Sequence, residues 1–341
     1  MNDKKKIFSN KPQISITCSS TGRMWLVFFC AFACVLQSSI TDGGRSLVIA
    51  LTALFSAILT ELLFTFKAHK AEKIKDGSAA ATAMIITLLL PNHIHPIYVF
   101  FGAAFAIAVV KYSFGGLGAN WLNPALGGWL FIRFSWPSAY KMALNETASS
   151  ISEMIVSSDV SGIDNTITGF FNNAILPVTG VQLPSGYFDL LFLGGSGIIT
   201  DRGLFALLIG TIIITAIGIN RGWIPLVFIT VYSFLIRYAG DANGILWNGD
   251  MLYGLFTGGT IAAAFILAAE PASGAKLKPG ILLAVVLGAV LSWFFRYKCM
   301  EYSGCFIALA FVNCVTPLIR LMEDKLFLSR KTSGKLQENI L

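Results

Sequence analysis

The stretch FGGLGANWLNPALGG, from Phe114 to Gly128, places five glycines, two asparagines and a proline within fifteen residues of a very apolar chain. Pro124 suits the first turn of a helix, and Asn123 before it is a good N-cap residue. The glycines supply backbone conformations that other residues avoid. We expect a re-entrant or broken-helix element lined with polar groups here. The alternative interpretation is a tight cytoplasmic turn.

The composition around this stretch is that of a membrane protein. Of 341 residues, 55% are hydrophobic and only 13% are charged, which excludes an ordinary soluble domain. We therefore predict an all-α polytopic membrane protein. The candidate segments, ten in number, are 24–40, 46–66, 78–90, 97–113, 124–136, 203–219, 222–237, 251–269, 280–296 and 303–322.

Two of these segments, 78–90 and 124–136, are too short to cross a bilayer alone. Each makes about 20 Å of helix against a hydrocarbon core of about 30 Å. They flank the glycine-rich stretch. We therefore expect short or broken helices at the centre of the protein.

Lysine and arginine set the predicted orientation. Most of them fall in the N-terminal segment, in the C-terminal segment and in every second connection, which predicts cytoplasmic termini. The net charge of +7 follows from this topology, so no nucleic-acid partner is needed to explain it. We assign residues 1–137 to a first five-helix half, 138–201 to an external loop and 202–341 to a second half.

Because each half contains an odd number of segments, the two halves have inverted topology. A weak echo supports the repeat: TAMIITLLLP (82–91) and TIAAAFILAAEP (260–271) each occupy the third segment of their half. Inverted repeats with interrupted helices place binding sites near the midplane of the membrane. The alternative is that both strings reflect generic packing of small residues between helices.

Several motifs resemble the RnfD/NqrB family over nearly the whole chain. They are DGSAAATAMIITLLLPNHIHP (76–96), FFGAAFAIAVVKYSFGGLGANWLNPALGG (100–128), AAEPASG (268–274) and GCFIALAFVNCVTPLIR (304–320). The resemblance implies a flavoprotein subunit of ten helices in the bacterial cytoplasmic (inner) membrane. It implies membrane lipid and other Rnf complex subunits as partners. The whole complex would transfer electrons between ferredoxin and NAD and translocate Na⁺ or H⁺.

Five polar residues are candidates for binding the flavin that the resemblance implies. Ser78, Thr82, Asn120 and Asn123 could hydrogen-bond to the edge of the isoalloxazine ring, although small polar residues also join helices to one another. Arg133, inside the fifth segment, could hold a flavin phosphate or neutralise a carboxylate of a neighbouring subunit. We predict FMN or riboflavin as the cofactor.

Glu61 is the candidate for an ion or proton path. It lies inside the second segment, where a carboxylate is costly unless it is paired or hydrated. The alternative is that Glu61 reaches the membrane surface or pairs with Lys67.

The family attaches FMN to a threonine of an S/T-G-A-T motif in the outer loop, and VTGVQLPSG (178–186) is the best match here. Thr179 and Gly180 match the first two positions, but Gln182 stands where the modified threonine belongs. Glutamine has no hydroxyl group to form a phosphoester. We therefore expect no covalent FMN at the family's position. The alternative is that the variable loop aligns differently.

The sequence contains no predicted catalytic residue of its own, and no metal site. HxH at 93–95 lacks a third ligand nearby, and no nucleophile triad or phosphate loop is present. The chain would thus be one subunit of an ion-translocating oxidoreductase, a translocase, without a complete active site. The rival class is a solute channel or transporter of inverted repeats, as for urea or ammonium, without a redox role.

Overall fold

The computed structural model describes residues 19–67, 76–116, 118, 120–145, 187–192, 197–239 and 250–338, and all regular structure in these ranges is helical. The first part of the chain forms Ser20–Thr41, Arg45–Lys67, Ser78–Leu89, Pro96–Phe105 with a π-helical continuation Ala106–Tyr112, Pro124–Ser135, and a helix over 137–145. The later part forms Tyr187–Phe192, Ile199–Arg202, Leu204–Ala216, Trp223–Ala239, Met251–Phe256, Thr260–Ala262 with the π-helix Ala263–Leu267, Lys278–Trp293 with the π-helix Phe294–Lys298, and Gly304–Glu338.

Within the described ranges, four helices are long and apolar enough to cross a membrane: Ser20–Thr41, Arg45–Phe66, Lys278–Lys298 and Gly304–Glu323. Shorter apolar helices pack against them: Ser78–Leu89, Pro96–Tyr112, Leu204–Ala216 and Trp223–Ala239. Large apolar side chains such as Phe55 and Phe66 remain exposed on the long helices, at 63% and 77%. Such surfaces suit lipid rather than water. The chain is an all-α, multi-pass membrane protein.

The predicted helix start at Pro124 is confirmed. Pro124 is the first residue of the helix Pro124–Ser135, and Asn123 is its N-cap. The side-chain oxygen of Asn123 accepts hydrogen bonds from the backbone N–H groups of Ala125 and Leu126, at 2.8 and 3.3 Å. These bonds satisfy two of the donors that a helix start leaves open.

The backbone before this start leaves helical geometry at glycines. Gly115 and Gly116 have φ angles of 106° and 96°, which side-chain-bearing residues rarely adopt. Asn120 and Asn123 are each only 4% exposed. Their amides therefore lie inside the protein, as a broken-helix element predicts, and not on a surface turn.

The third segment of each predicted half contains a helix that starts after a glycine with the same left-handed conformation. Gly77 precedes Ser78–Leu89 with φ 71°, and Gly259 precedes Thr260–Ala262 with φ 70°. The two glycines place Ser78 in the position of Thr260.

A buried cation meets each of these helix starts. In each predicted half, the fourth helix ends in a π-helical segment, and the cation lies in that segment. The cation is Lys111 in the first half and Arg296 in the second. Lys111 Nζ lies 2.5 Å from Ser78 Oγ, and Arg296 Nη1 lies 3.0 Å from Thr260 Oγ1. π-Helical segments are rare and often occur at functional sites. The same local arrangement thus occurs twice in one chain.

Charged side chains hydrogen-bond to the backbone on both sides of the helix start at Gly259. The Asp201 carboxylate accepts hydrogen bonds from the backbone N–H groups of Gly258 and Gly259, at 2.8 and 2.9 Å. Arg296 Nη1 donates to the carbonyl oxygen of Thr257 at 2.6 Å. Backbone groups that a break exposes in a membrane need such partners, because no water is available there.

Parts of the region assigned to the external loop are helical. Residues 137–145, Tyr187–Phe192 and Ile199–Arg202 form helices. Tyr140 explains why the first of them packs inward: its side chain is fully buried, and its hydroxyl group accepts a hydrogen bond from Trp129 Nε1 at 3.1 Å. The last helix also extends beyond the apolar segment 303–322, to Glu338.

We expect Gly259→Ala to destabilise the protein more than Gly43→Ala does. The two glycines have similar φ angles, 70° and 68°, so both substitutions carry a similar backbone strain of about 1–3 kcal/mol. A Cβ at Gly259 would approach Phe306 Cζ to 2.3 Å, whereas one at Gly43 meets nothing within 4 Å. Such overpacking costs a further ~1–3 kcal/mol. Thermal unfolding in detergent measures the difference, and equal midpoints for the two variants would contradict it.

Candidate functional site

Four of the predicted site residues line one cavity of about 510 Å³. They are Ser78, Thr82, Asn120 and Asn123. Ligand pockets in proteins usually measure about 300–1,000 Å³. The structure therefore brings together side chains from two segments that are well separated in the sequence.

The broken third helix positions the two hydroxyl groups. Ser78 is the first residue of this helix, and its backbone N–H donates to Asp76 Oδ1 at 2.8 Å. Thr82 follows one turn later and donates its hydroxyl hydrogen to the carbonyl oxygen of Ser78 at 2.8 Å. Both residues consequently face the cavity from the same side of the helix.

The two asparagines belong to the stretch that restarts the chain at Pro124. Asn123 Nδ2 donates to Glu270 Oε2 at 2.6 Å. With its amide oriented to satisfy its neighbours, Asn120 donates to the carbonyl oxygens of Val110, Lys111 and Gly116, at 3.2, 3.3 and 3.2 Å. Both amides therefore shape the cavity wall by holding backbone and side chains in place.

Glu61 lies beside this cavity in a buried ion pair. Its Oε1 atom lies 2.5 Å from Lys111 Nζ and accepts a hydrogen bond from the Tyr112 hydroxyl at 3.2 Å. Glu61 and Lys111 are each 3% exposed, so both charges are withdrawn from solvent. The structure thus gives Glu61 a buried partner, Lys111, where the sequence suggested Lys67. Removing one member of such a pair leaves an uncompensated buried charge.

The sequence did not predict Lys111 as a site residue. It lies at the end of an apolar segment, where a lysine indicates only which end of the helix faces the cytoplasm. In the structure it lines the cavity and bridges two predicted residues, Glu61 and Ser78. The signal that could have found it is a lysine one turn before a glycine-rich break, where a membrane helix cannot extend its side chain into water.

Arg23 and Glu270 also line the cavity and were not predicted. The Nε atom of Arg23 is buried and has no hydrogen-bond partner in the part of the chain that the structure describes. Glu270 belongs to the family motif AAEPASG, and its Oε2 atom also accepts a hydrogen bond from Ser273 at 3.1 Å.

Arg133 lies away from the cavity. Its guanidinium Nη2 is 2.5 Å from Glu301 Oε2, and the guanidinium group also stacks on the rings of Trp129 and Tyr140. The carboxylate that it neutralises therefore belongs to this chain, where the sequence suggested a flavin phosphate or a neighbouring subunit. Thr179, Gly180 and Gln182 lie outside the described residues.

The residues of the cavity fit a flavin ring. Its apolar wall contains Met24, Val27, Ile85, Ile214 and Ile266, which suit a flat aromatic body. Its polar wall carries the hydroxyl, amide and cationic groups described above, and these suit the carbonyl and nitrogen atoms of the ring edge.

The chain is similar to known proteins over nearly its whole length. The family described as NQR2, RnfD, RnfE matches residues 7–327. Relatives include the D subunit of the proton-translocating ferredoxin:NAD(+) oxidoreductase complex of Clostridium ljungdahlii, which is 28% identical over 93% of this chain and 94% of that protein. The D subunit of the Na(+)-translocating ferredoxin:NAD(+) oxidoreductase complex of Acetobacterium woodii is 24% identical over 96% of each chain. The chain belongs to the NQR2, RnfD, RnfE family.

Proposed function

We propose that this chain is the D subunit of an Rnf-type complex, which couples electron transfer between ferredoxin and NAD to the translocation of Na⁺ or H⁺. The observation that carries the proposal is the convergence of Ser78, Thr82, Asn120 and Asn123 on one cavity beside the Glu61–Lys111 ion pair. The names of the relatives support it. The complete enzyme is the assembly, and this chain contributes a site for electron passage.

The cavity is the proposed flavin site. A bound flavin would accept and donate electrons, whereas the protein supplies binding, orientation and electrostatics. The hydroxyl groups of Ser78 and Thr82 and the amide of Asn123 would hydrogen-bond to the ring edge. Lys111 and Arg23 place positive charge at the cavity, which favours a ligand that becomes more negative on reduction.

The Glu61–Lys111 pair is the proposed link between the flavin site and ion movement. Lys111 contacts Glu61 on one side and Ser78, a cavity residue, on the other. Added negative charge in the cavity would attract Lys111 and weaken its hold on Glu61. The freed carboxylate can then bind a proton or a cation, because a buried carboxylate without a countercharge is unfavourable.

The proposed topology has ten membrane segments in two inverted five-segment halves, 1–137 and 202–341, in the bacterial cytoplasmic membrane. The external loop is 138–201, and both termini are cytoplasmic. The matching conformations of Gly77 and Gly259 support the repeat, and so do the matching positions of Lys111 and Arg296. The distribution of lysine and arginine supports the orientation.

The proposed flavin, FMN or riboflavin, is held without a covalent bond to the outer loop. Gln182 occupies the position of the family's modified threonine and offers no hydroxyl group. Thr179 is three residues earlier and would present the phosphate from another point of the loop. The rival function, a solute channel without a redox role, predicts a protein without flavin.

Reporter fusions test the topology. Reporters fused between residues 145 and 187 should lie outside the cell, and a reporter fused to the C-terminus should lie in the cytoplasm. The reason is that connections rich in lysine and arginine remain in the cytoplasm. A fusion at residue 72, in a lysine-rich connection, is the internal reference. An external C-terminus would contradict the inverted halves and leave the flavin proposal to its own test.

We expect the purified protein to show a flavin absorption spectrum and to release all of its flavin on denaturation. Thr82→Val should weaken flavin retention by about two- to tenfold, because it removes one hydrogen bond from the cavity. The matched control is Thr87→Val in the same helix. Both threonines bond to the carbonyl oxygen four residues earlier, at 2.8 and 2.9 Å, but Thr87 does not line the cavity.

Two outcomes would contradict this prediction. Flavin-free protein, expressed beside its partner subunits and its native flavin-attaching enzyme, would favour the channel. A flavin-sized mass that remains on the denatured chain would show covalent attachment. Mapping that mass to Thr179 would show that the attachment point has moved along the loop.

Glu61→Gln should lower ion-coupled turnover in vesicles while the complex still assembles. It should also lower stability by about 3–5 kcal/mol, because Lys111 loses its buried countercharge. The double variant Glu61→Gln/Lys111→Gln should regain stability but not coupling. Glu301→Gln, which breaks the more exposed pair with Arg133, is the control and should preserve coupling. Full coupling in Glu61→Gln would show that the ion pair is only structural.

A further inference from the structure

A second cavity, of about 390 Å³, lies next to the first one. The turn after Ala216, the segment 267–276 and the last two long helices line it. Arg23, Ile219, Glu270 and Pro271 line both cavities. The proposed flavin function does not use this second cavity.

One wall of the second cavity is apolar. It is formed by Ile281 and Val285 from the helix Lys278–Trp293 and by Leu309 and Val312 from the final helix. Both helices are candidate membrane spans. This wall therefore suits a hydrocarbon or ester group of an amphiphilic ligand.

The same cavity contains a buried amide without a partner. Asn313 lines the cavity, is 8% exposed and makes no hydrogen bond with any described residue. Buried polar groups in proteins are nearly always hydrogen-bonded, so this amide is available to a molecule in the cavity that carries an acceptor atom.

The mouth of the cavity is cationic. Arg221 and Lys276 line it with exposed side chains, and Arg23 adds a third positive charge. The carboxylate of Glu270 is the single negative charge in the lining, and it is engaged by Asn123 and Ser273. The balance of charge favours an anionic ligand.

Arg320, in contrast, does not line the cavity. Its guanidinium group donates to the backbone carbonyl oxygens of Ala272 and Gly274, at 2.9 and 2.5 Å. It therefore fixes the segment 267–276 that forms the mouth. The three cations at the cavity, on the other hand, have no carboxylate within ion-pair distance among the described residues.

We propose that the second cavity binds an anionic phospholipid. The phosphate group lies at the mouth among Arg23, Arg221 and Lys276, the ester carbonyl accepts from the amide of Asn313, and the acyl chains follow the apolar wall. Basic pockets between membrane helices are known to bind anionic headgroups. A free phosphate compound shares the charge but cannot use the apolar wall.

Native mass spectrometry of the purified protein tests the proposal with phosphatidylglycerol, with phosphatidylcholine and with inorganic phosphate. We expect retention of phosphatidylglycerol over phosphatidylcholine. Arg221→Gln and Asn313→Leu should each weaken phosphatidylglycerol retention about tenfold, which is the loss of one strong hydrogen bond or ion contact. Arg237→Gln removes an exposed arginine of the helix Trp223–Ala239 outside both cavities and should retain the lipid.

Equal retention of the two lipids, or unchanged retention in both cavity variants, would overturn the proposal. Displacement of the lipid by inorganic phosphate alone would show a phosphate site without lipid character and would overturn it as well. Arg221 and Asn313 line only the second cavity, so flavin content should stay unchanged in their variants. The absence of flavin from the wild-type protein would therefore refute the first proposal and leave this one standing.

Discussion

A helix that ends inside a membrane must satisfy its own terminal backbone groups, and this constraint organises the protein. The chain stops and restarts helices at Gly77, at Pro124 and at Gly259. At each helix start, a side-chain oxygen accepts a hydrogen bond from a backbone N–H group. The side chains are Asp76 at the first start, Asn123 at the second and Asp201 at the third. The polar groups that a membrane protein would otherwise avoid are thus required by the backbone itself.

The two buried cations near the helix starts, Lys111 and Arg296, differ in their hydrogen-bond partners. Arg296 donates to Tyr232, Gly254, Thr257 and Thr260, so its hydrogen-bonding capacity is used by the protein. Among the described residues, the ammonium group of Lys111 hydrogen-bonds to Glu61 and Ser78 and lies 5.4 Å from the centre of the Tyr112 ring. A guanidinium group bound in this way is a fixed structural element, whereas an ammonium group on a flexible stem can shift between partners. Arg296 is therefore held by more hydrogen-bond partners than Lys111 is among the described residues.

The two cavities meet at Arg23 and Glu270. Asn123 connects the helix restart at Pro124 to Glu270, and Glu270 in turn holds Ser273 in the segment at the mouth of the second cavity. Glu270 therefore contacts residues on the walls of both cavities. The fold brings its charges and polar groups together near the broken helices and leaves the long outer helices apolar, as contact with lipid requires.

The sequence by itself determined the membrane class, the helix restart at Pro124 with Asn123 as its cap, and the set of four polar residues that share a cavity. The first two follow from local chemistry: apolar length and capping preference. The four polar residues were candidates because of the family that the sequence resembles, and their role in binding flavin remains a prediction. The topology of ten inverted segments and the missing threonine of the outer loop are also sequence arguments, and they remain predictions.

Only the tertiary structure decided which charges meet. Glu61 and Lys111 are fifty residues apart, and the sequence offered Lys67 as an equally reasonable partner. From the sequence, Arg133 could have paired with a phosphate or with another subunit, whereas in the structure it pairs with Glu301. Ion pairs between distant segments depend on how helices pack, and apolar helix sequences carry little information about which neighbour they will face.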